Sequence, residues 1–111
     1  MYLADEAWPD LESYLDAESV ALVPLGSTEQ HGPHLPEGTD HLIAEGLARA
    51  AADRGGYLCT PTVNLGVRPH HKQFPGPLWV GAPCFRAYVA SFTPHLPYHW
   101  LARVLYVNLH G

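Results

Sequence analysis

Residues 20–40, VALVPLGSTEQHGPHLPEGTD, place an apolar run directly before a loop rich in potential metal ligands. Val20–Leu25 is apolar throughout, as expected of a parallel strand covered on both faces. Glu29 and His31 follow two residues apart, so an extended chain would direct both side chains to the same side. Glycines and prolines make the loop rigid and non-helical before Asp40 opens the next helix. Two carboxylates and an imidazole after a strand predict a divalent metal site.

These residues also have simpler interpretations. Thr39 or Asp40 could cap the following helix, because short polar side chains are favoured at that position. Glu29 and His31 could belong to a solvated strand end. The concentration of ligand types in one loop favours the metal site over three separate explanations.

The flanking sequence alternates helix and strand patterns. Helices are predicted at Trp8–Ala17, His41–Arg54 and Cys84–Phe92, and further strands at Tyr57–Val63, Leu78–Val80 and Arg103–Leu109. Pro24 should lie at the end of its strand or on a sheet edge, because proline cannot donate to the ladder. Strand–helix–strand order gives parallel strands. We expect a three-layer α/β/α sandwich with a mostly parallel sheet, in one domain over residues 1–111.

Apolar spacing predicts which helix faces are buried. The predicted core stripes are Leu42, Ile43, Leu47 and Ala51 on the second helix, and Phe85, Tyr88, Val89 and Phe92 on the third.

Composition restricts the class of protein. The net charge is −5, with eleven acids against six bases, which argues against nucleic-acid binding. The acidic start and the lack of an apolar run of about 20 residues predict no signal peptide, no membrane span and a cytoplasmic location.

Cys59 and Cys84 are expected to be reduced and mostly buried. There is no Gly-x-Ser-x-Gly elbow, and Ser27 lacks a convincing base–acid arrangement for a nucleophile.

Histidine is unusually frequent, with eight residues in the chain. His70 and His71 lie in an irregular, proline-rich segment that is either a polar loop tip or part of a site. His95 and His99 are predicted to be surface residues. His110 follows the last predicted strand, at the edge of the sheet where sites form in open α/β folds.

The run GSTEQHGPHLPEGTD resembles the signature of the creatininase (creatinine amidohydrolase) family. The likeness extends along almost the whole chain, through Leu3-Ala4-Asp5, Trp8-Pro9, His70-His71, Phe74-Pro75-Gly76 and Val107-Asn108-Leu109-His110-Gly111. Because the family pattern continues past this point, the resemblance implies a truncated, N-terminal portion of the full family fold.

The resemblance also implies a set of ligands. There would be two divalent ions, zinc or manganese. Glu29 and His110 would bind one ion, His31 would bind the other, and Asp40 would bridge the two. A metal-bound hydroxide would then attack the carbonyl of a small-molecule amide substrate. His34 is assigned a supporting or structural role beside the ligands.

The family likeness further places His70 and His71 near the substrate, and implies a homo-oligomer for the intact protein. Three functions remain open. The first is a hydrolase of non-peptide amide C–N bonds. Its substrates would be creatinine-like cyclic amides or the formamides of flavin and deazaflavin precursor synthesis. Peptide trimming is a related activity in the family. The others are a non-catalytic metal-binding remnant and an interaction module with an exposed sheet edge.

Overall fold

The computed structural model describes residues 1–67 and 74–111. Its helices are α1 (Trp8–Leu15), α2 (Thr39–Gly55), α3 (Ala82–Phe92) and α4 (His95–Tyr98), after a 3-10 turn at Leu3–Asp5; its strands are β1 (Val20–Leu25), β2 (Leu58–Cys59) and β3 (Arg103–Asn108). The sheet is parallel, in the order β2-β1-β3. This confirms the predicted α/β class with a parallel sheet.

The two faces of β1 pack against different helices. Leu22 and its register partner Cys59 belong to the cluster on the α2 side. The adjacent pair, Ala21 and Leu58, faces the opposite cluster with side chains from α1 and α4. This alternation with a period of two residues gives the three layers that the apolar strand predicts.

Helix α2 contacts the sheet through alanines. Ala44, Ala48 and Ala52 are fully buried, at the i, i+4, i+8 spacing that lines one helix face. The predicted leucine-rich stripe was wrong, because Leu42, Ile43 and Leu47 are each at least half exposed. Small residues permit a close helix–sheet approach that leucines on that face would prevent. As predicted, the helix ends at its paired glycines, with Gly56 in the left-handed conformation at φ 70°.

The predicted aromatic core of α3 was also wrong. No residue of α3 is buried, and Tyr88 is 61% exposed. Its T-shaped contact with Phe92 lies within the helix. The spacing therefore identified a shared helix face, but not what covers that face. Cys84, on the same helix, is exposed rather than buried, whereas Cys59 is buried as predicted.

The strands differ from the predictions mainly in length. Only Leu58–Cys59 of the predicted second strand forms a ladder, and Val63 adds an isolated bridge to Leu25. Leu78 and Val80 also form isolated bridges rather than a strand. Pro24 is the penultimate residue of β1, which is the central strand. Its position at the strand end was predicted correctly, and the edge alternative was wrong.

Across residues 1–67 and 74–111, no helix combines the length and the hydropathy needed to cross a membrane.

Candidate metal centre

The potential ligands meet at the carboxyl ends of two neighbouring strands. Leu25, the last residue of β1, pairs with Asn108, the last residue of β3. The two strands therefore end at the same level, and His110 arrives beside the residues that follow β1. Asp40 reaches the same point from the first turn of α2.

Close backbone packing brings α2 to the end of β1. A Cβ on Gly26 would lie 2.4 Å from the backbone of His41, a distance that only glycine permits. The loop between them is closed by the Glu29 N–H, which donates to the Glu37 carbonyl at 2.8 Å. Gly38 is the N-cap residue of α2, and neither Thr39 nor Asp40 caps the helix. The capping alternative was therefore wrong, and the Asp40 carboxylate points to other partners.

Asp40 lies at the centre of the cluster and uses its two oxygens differently. Its Oδ1 is 2.8 Å from Nε2 of His31, and its Oδ2 is 2.9 Å from Nδ1 of His110. Oε1 of Glu29 lies 3.2 Å from the same His110 nitrogen. These four side chains are 12–24% exposed, so the interpretation of a solvated strand end fails.

Backbone carbonyls determine which nitrogen of each histidine carries a proton. Nδ1 of His31 lies 3.0 Å from the Glu29 carbonyl, and Nε2 of His110 lies 3.2 Å from the Val67 carbonyl. A carbonyl only accepts, so each of these nitrogens is the N–H donor. The other nitrogen of each ring faces carboxylate oxygen, where either a proton or a cation must lie. This is the orientation found in metal-binding histidines.

The pKa values of the central pair follow from these contacts. The hydrogen bond to the Glu29 carbonyl raises the pKa of His31, and Asp40 adds to that effect while burial opposes it. Burial alone would raise the pKa of Asp40, but hydrogen bonds from Ser27, His110 and His31 outweigh burial and lower it. In the absence of metal, the pair is therefore stabilised as an ion pair.

The donor set fits a divalent cation. Ligand atoms of Glu29, His31 and Asp40 lie within 4.8 Å of one another, and His110 contacts two of the three residues. Imidazole and carboxylate ligands suit zinc and manganese, and no thiolate is needed. All four residues that the sequence proposed as ligands are thus brought together.

Sequence reasoning missed Ser27, which is 2% exposed and belongs to this cluster. Its hydroxyl donates to Oδ2 of Asp40 at 2.7 Å and lies 3.0 Å from Nδ1 of His110. This is not a nucleophile triad, in which the base uses one nitrogen for the serine and the other for the acid. Here the same nitrogen, Nδ1 of His110, faces both the Ser27 hydroxyl and the Asp40 carboxylate. The available signal was its position, two residues after the end of β1 and two residues before Glu29.

The remaining histidines are less informative. His34 is exposed, and its ring lies against Gly32, at 3.1 Å from where a Cβ would be. His70 and His71 lie outside the described residues. His95 and His99 are exposed, as the sequence predicted.

Comparisons with known proteins identify a family for this chain. The family model "Creatinine amidohydrolase" matches residues 4–111. The mycofactocin precursor peptide peptidase of Mycobacterium ulcerans (strain Agy99) is 38% identical over 99 residues, covering 81% of this chain and 39% of the relative. The creatinine amidohydrolase of Pseudomonas putida is 25% identical, covering 99% of this chain and 45% of the relative. The chain thus spans about two-fifths of the length of these curated relatives.

Solved structures give the same result for the fold. Two creatininase structures, one described as a manganese form and one as a mutant of Zn-Zn type, each superpose with a TM-score of 0.90 at 25% identity. Each alignment covers 98% of this chain and 45% of the other. On this family match and these similarities, the chain belongs to the creatininase family of hydrolases.

Proposed function

We propose that the chain supplies a binuclear metal centre that hydrolyses an amide C–N bond. The observation that supports this most strongly is the arrangement around Asp40, whose two oxygens face different histidines. One ion would be held by Glu29 and His110, the other by His31, and Asp40 would bridge the two.

The chain's own residues prepare these positions. Zinc or manganese ions, when bound, act as Lewis acids toward a carbonyl and lower the pKa of a bound water towards neutrality. The two carboxylates offset part of the cationic charge. The carbonyls of Glu29 and Val67 hold the imidazoles in the tautomers that leave a lone pair for the cation. His31 gives up its Nε2 proton on loading, so metal binding releases protons.

The comparisons favour one substrate class over another. Relatives named as precursor peptide peptidases reach 38% identity, against 25% for the creatinine amidohydrolase. We therefore place a short peptide amide first, ahead of the creatinine-like cyclic amides and small formamides that the sequence motif suggests. All three substrates share the carbonyl and the C–N bond that the proposed centre would act on.

A second candidate is a metal-binding module without turnover. It is favoured by the cluster itself, because ligand atoms of Glu29, His31 and Asp40 lie within 4.8 Å of one another and could bind a cation without a substrate.

Metal loading followed by a hydrolysis assay separates these functions. Calorimetric titration with Mn²⁺ or Zn²⁺ should show two ions per chain and a raised melting temperature. The loaded protein is then incubated with short peptides, creatinine and a formamide, and products are identified by mass spectrometry. Peptide cleavage supports the first choice, and two bound ions without any product support the binding module. The absence of metal binding would refute both.

A matched control is available in the exposed histidine His99, which lies on the other side of the molecule at the end of α4. His99→Gln should bind the same number of ions as the parent chain. His31→Gln, which removes a nitrogen that faces Asp40, should lose one ion. Equal loading of the two variants would exclude His31 as a ligand.

A further inference from the structure

The buried hydroxyl of Ser27 is an unusual component of this cluster. It belongs to no motif for nucleophilic catalysis, and serine hydroxyls are not among the ligands that zinc and manganese prefer. Yet its side chain is almost wholly buried against two proposed ligands.

We propose that Ser27 is a positioning residue for Asp40, an inference that rests on the proposed function. A carboxylate can rotate about its last torsion, and this torsion has broad energy wells. The Ser27 hydroxyl donates to Oδ2 at 2.7 Å, which selects one rotation. In that rotation Oδ1 faces Nε2 of His31 and Oδ2 faces Nδ1 of His110. Ser27 thereby sets Asp40 to bridge two cations rather than to bind one.

The surroundings keep the hydroxyl in place. A Cβ on Gly66 would lie 3.1 Å from the Ser27 Cβ and 3.4 Å from the His110 ring, so this backbone closes the cluster from one side. On the other side, Asp40 is held by the first turn of α2. A donor with so little freedom loses little entropy in forming its bond, which makes it an effective orienting group.

The test is Mn²⁺ titration of Ser27→Ala beside the parent chain. Removing an outer hydrogen-bond partner of a ligand lowers metal affinity by about 10- to 100-fold, and this loss is expected for the bridged pair. In electron paramagnetic resonance, the parent chain with two ions should show an exchange-coupled pair. Ser27→Ala with the same ions added should instead show isolated Mn²⁺. A merely structural role would not move this signature.

Thr28→Val is the matched control. The Thr28 hydroxyl donates to the Asn64 carbonyl at 2.7 Å and not to a proposed ligand, so its loss should leave the Mn²⁺ affinity nearly unchanged. An affinity and a coupled spectrum in Ser27→Ala equal to those of the parent would overturn the proposal. If Ser27→Ala does not fold, Ser27→Cys decides instead, because it fills the same place with a weak donor. It should show the same loss of coupling, and parental coupling would overturn the proposal.

The two proposals fail in different ways. If the parent chain does not bind two ions, the proposed function fails. If the parent binds two coupled ions and both Ser27 variants do the same, only the role of Ser27 fails.

Discussion

The two ends of the central sheet bring together different kinds of side chain. At the carboxyl ends of β1 and β3, Ser27, Asp40 and His110 meet within hydrogen-bonding distance. At the amino ends of β2 and β3, a cavity of about 750 Å³ lies between α1 and α4, and half of the residues that line it are leucines. It includes Leu58 and Leu101, which are almost fully buried.

This difference separates the potential metal ligands from the apolar cavity. Apolar cavities are the usual first choice for a ligand site, but here the convergent donor atoms lie at the opposite end. Parallel strands explain the division, because loops that leave their carboxyl ends meet at one edge. The amino end contributes packing, and the carboxyl end brings together the potential metal ligands.

The largest expected effect on the carboxyl end comes from Asp40→Asn. The amide cannot bridge two cations as a carboxylate does, so the variant should bind at most one ion. Calorimetric titration with Mn²⁺ measures this directly. Asp53→Asn, at an exposed carboxylate near the end of α2, is the control and should keep both sites. Two ions per chain in Asp40→Asn would refute the bridging role.

The amino end is tested by Leu58→Ala. Leu58 is 1% exposed in the cluster between the sheet and α1, and such truncations lower the free energy of unfolding by about 2–5 kcal/mol. Urea denaturation measures the loss. Mn²⁺ affinity of the folded variant should stay within about twofold of the parent, because distant sites are nearly additive. A large loss of metal affinity would show that the two ends are coupled.

The stability of the metal-free chain should depend on pH through His31 and Asp40. Because the pKa of His31 is raised in the folded chain, the stabilisation that His31 gives is complete below its ordinary pKa of 6.5. This stabilisation is lost as pH rises through the raised pKa. Because the pKa of Asp40 is lowered in the folded chain, the stabilisation that Asp40 gives is complete above its ordinary pKa of 3.8. This stabilisation is lost as pH falls through the lowered pKa. The contribution of the pair should therefore be greatest between about pH 4 and 6.5.

Melting curves in the presence of a chelator, from pH 4 to pH 9, check this window. In a plot of melting temperature against pH, His31→Gln should flatten the alkaline side of the curve. His99→Gln should leave the shape of the curve unchanged. Added Mn²⁺ should raise the melting temperature more at pH 8 than at pH 6, because protons compete for the imidazole. The same metal-induced rise at both values would argue against His31 as a ligand.

The smallest expected effect is a gain in stability from Gly46→Ala. Gly46 lies in the exposed middle of α2, between the two ends, and a Cβ there would meet nothing within 4 Å. Alanine in a helix interior is favoured over glycine by about 0.5–1 kcal/mol. Thermal unfolding should show the gain with unchanged Mn²⁺ binding. Gly26→Ala is the contrast, because its Cβ would clash with the His41 backbone and destabilise the fold.

Much of the framework could be predicted from local patterns. The bounds of β1 were predicted correctly, because a short apolar run between polar residues identifies a buried strand. Glu29, His31 and Asp40 were proposed as ligands from residue type and position after a predicted strand, and the family resemblance added His110. Ser27 was not found, because a serine has no distinctive ligand chemistry. Only its packing against Asp40 and His110 makes it part of the cluster.

The sequence by itself determined β1, the helices on either side of it and the parallel direction of the strands, since these depend on local spacing and on the βαβ rule. Only the tertiary structure decided which side of α2 is buried and how the Asp40 oxygens are divided. Both depend on how closely backbones approach one another. The alanine face of α2 packs on β1 because small side chains allow that distance, and Asp40 reaches His110 because Gly26 allows α2 to begin against the end of the strand.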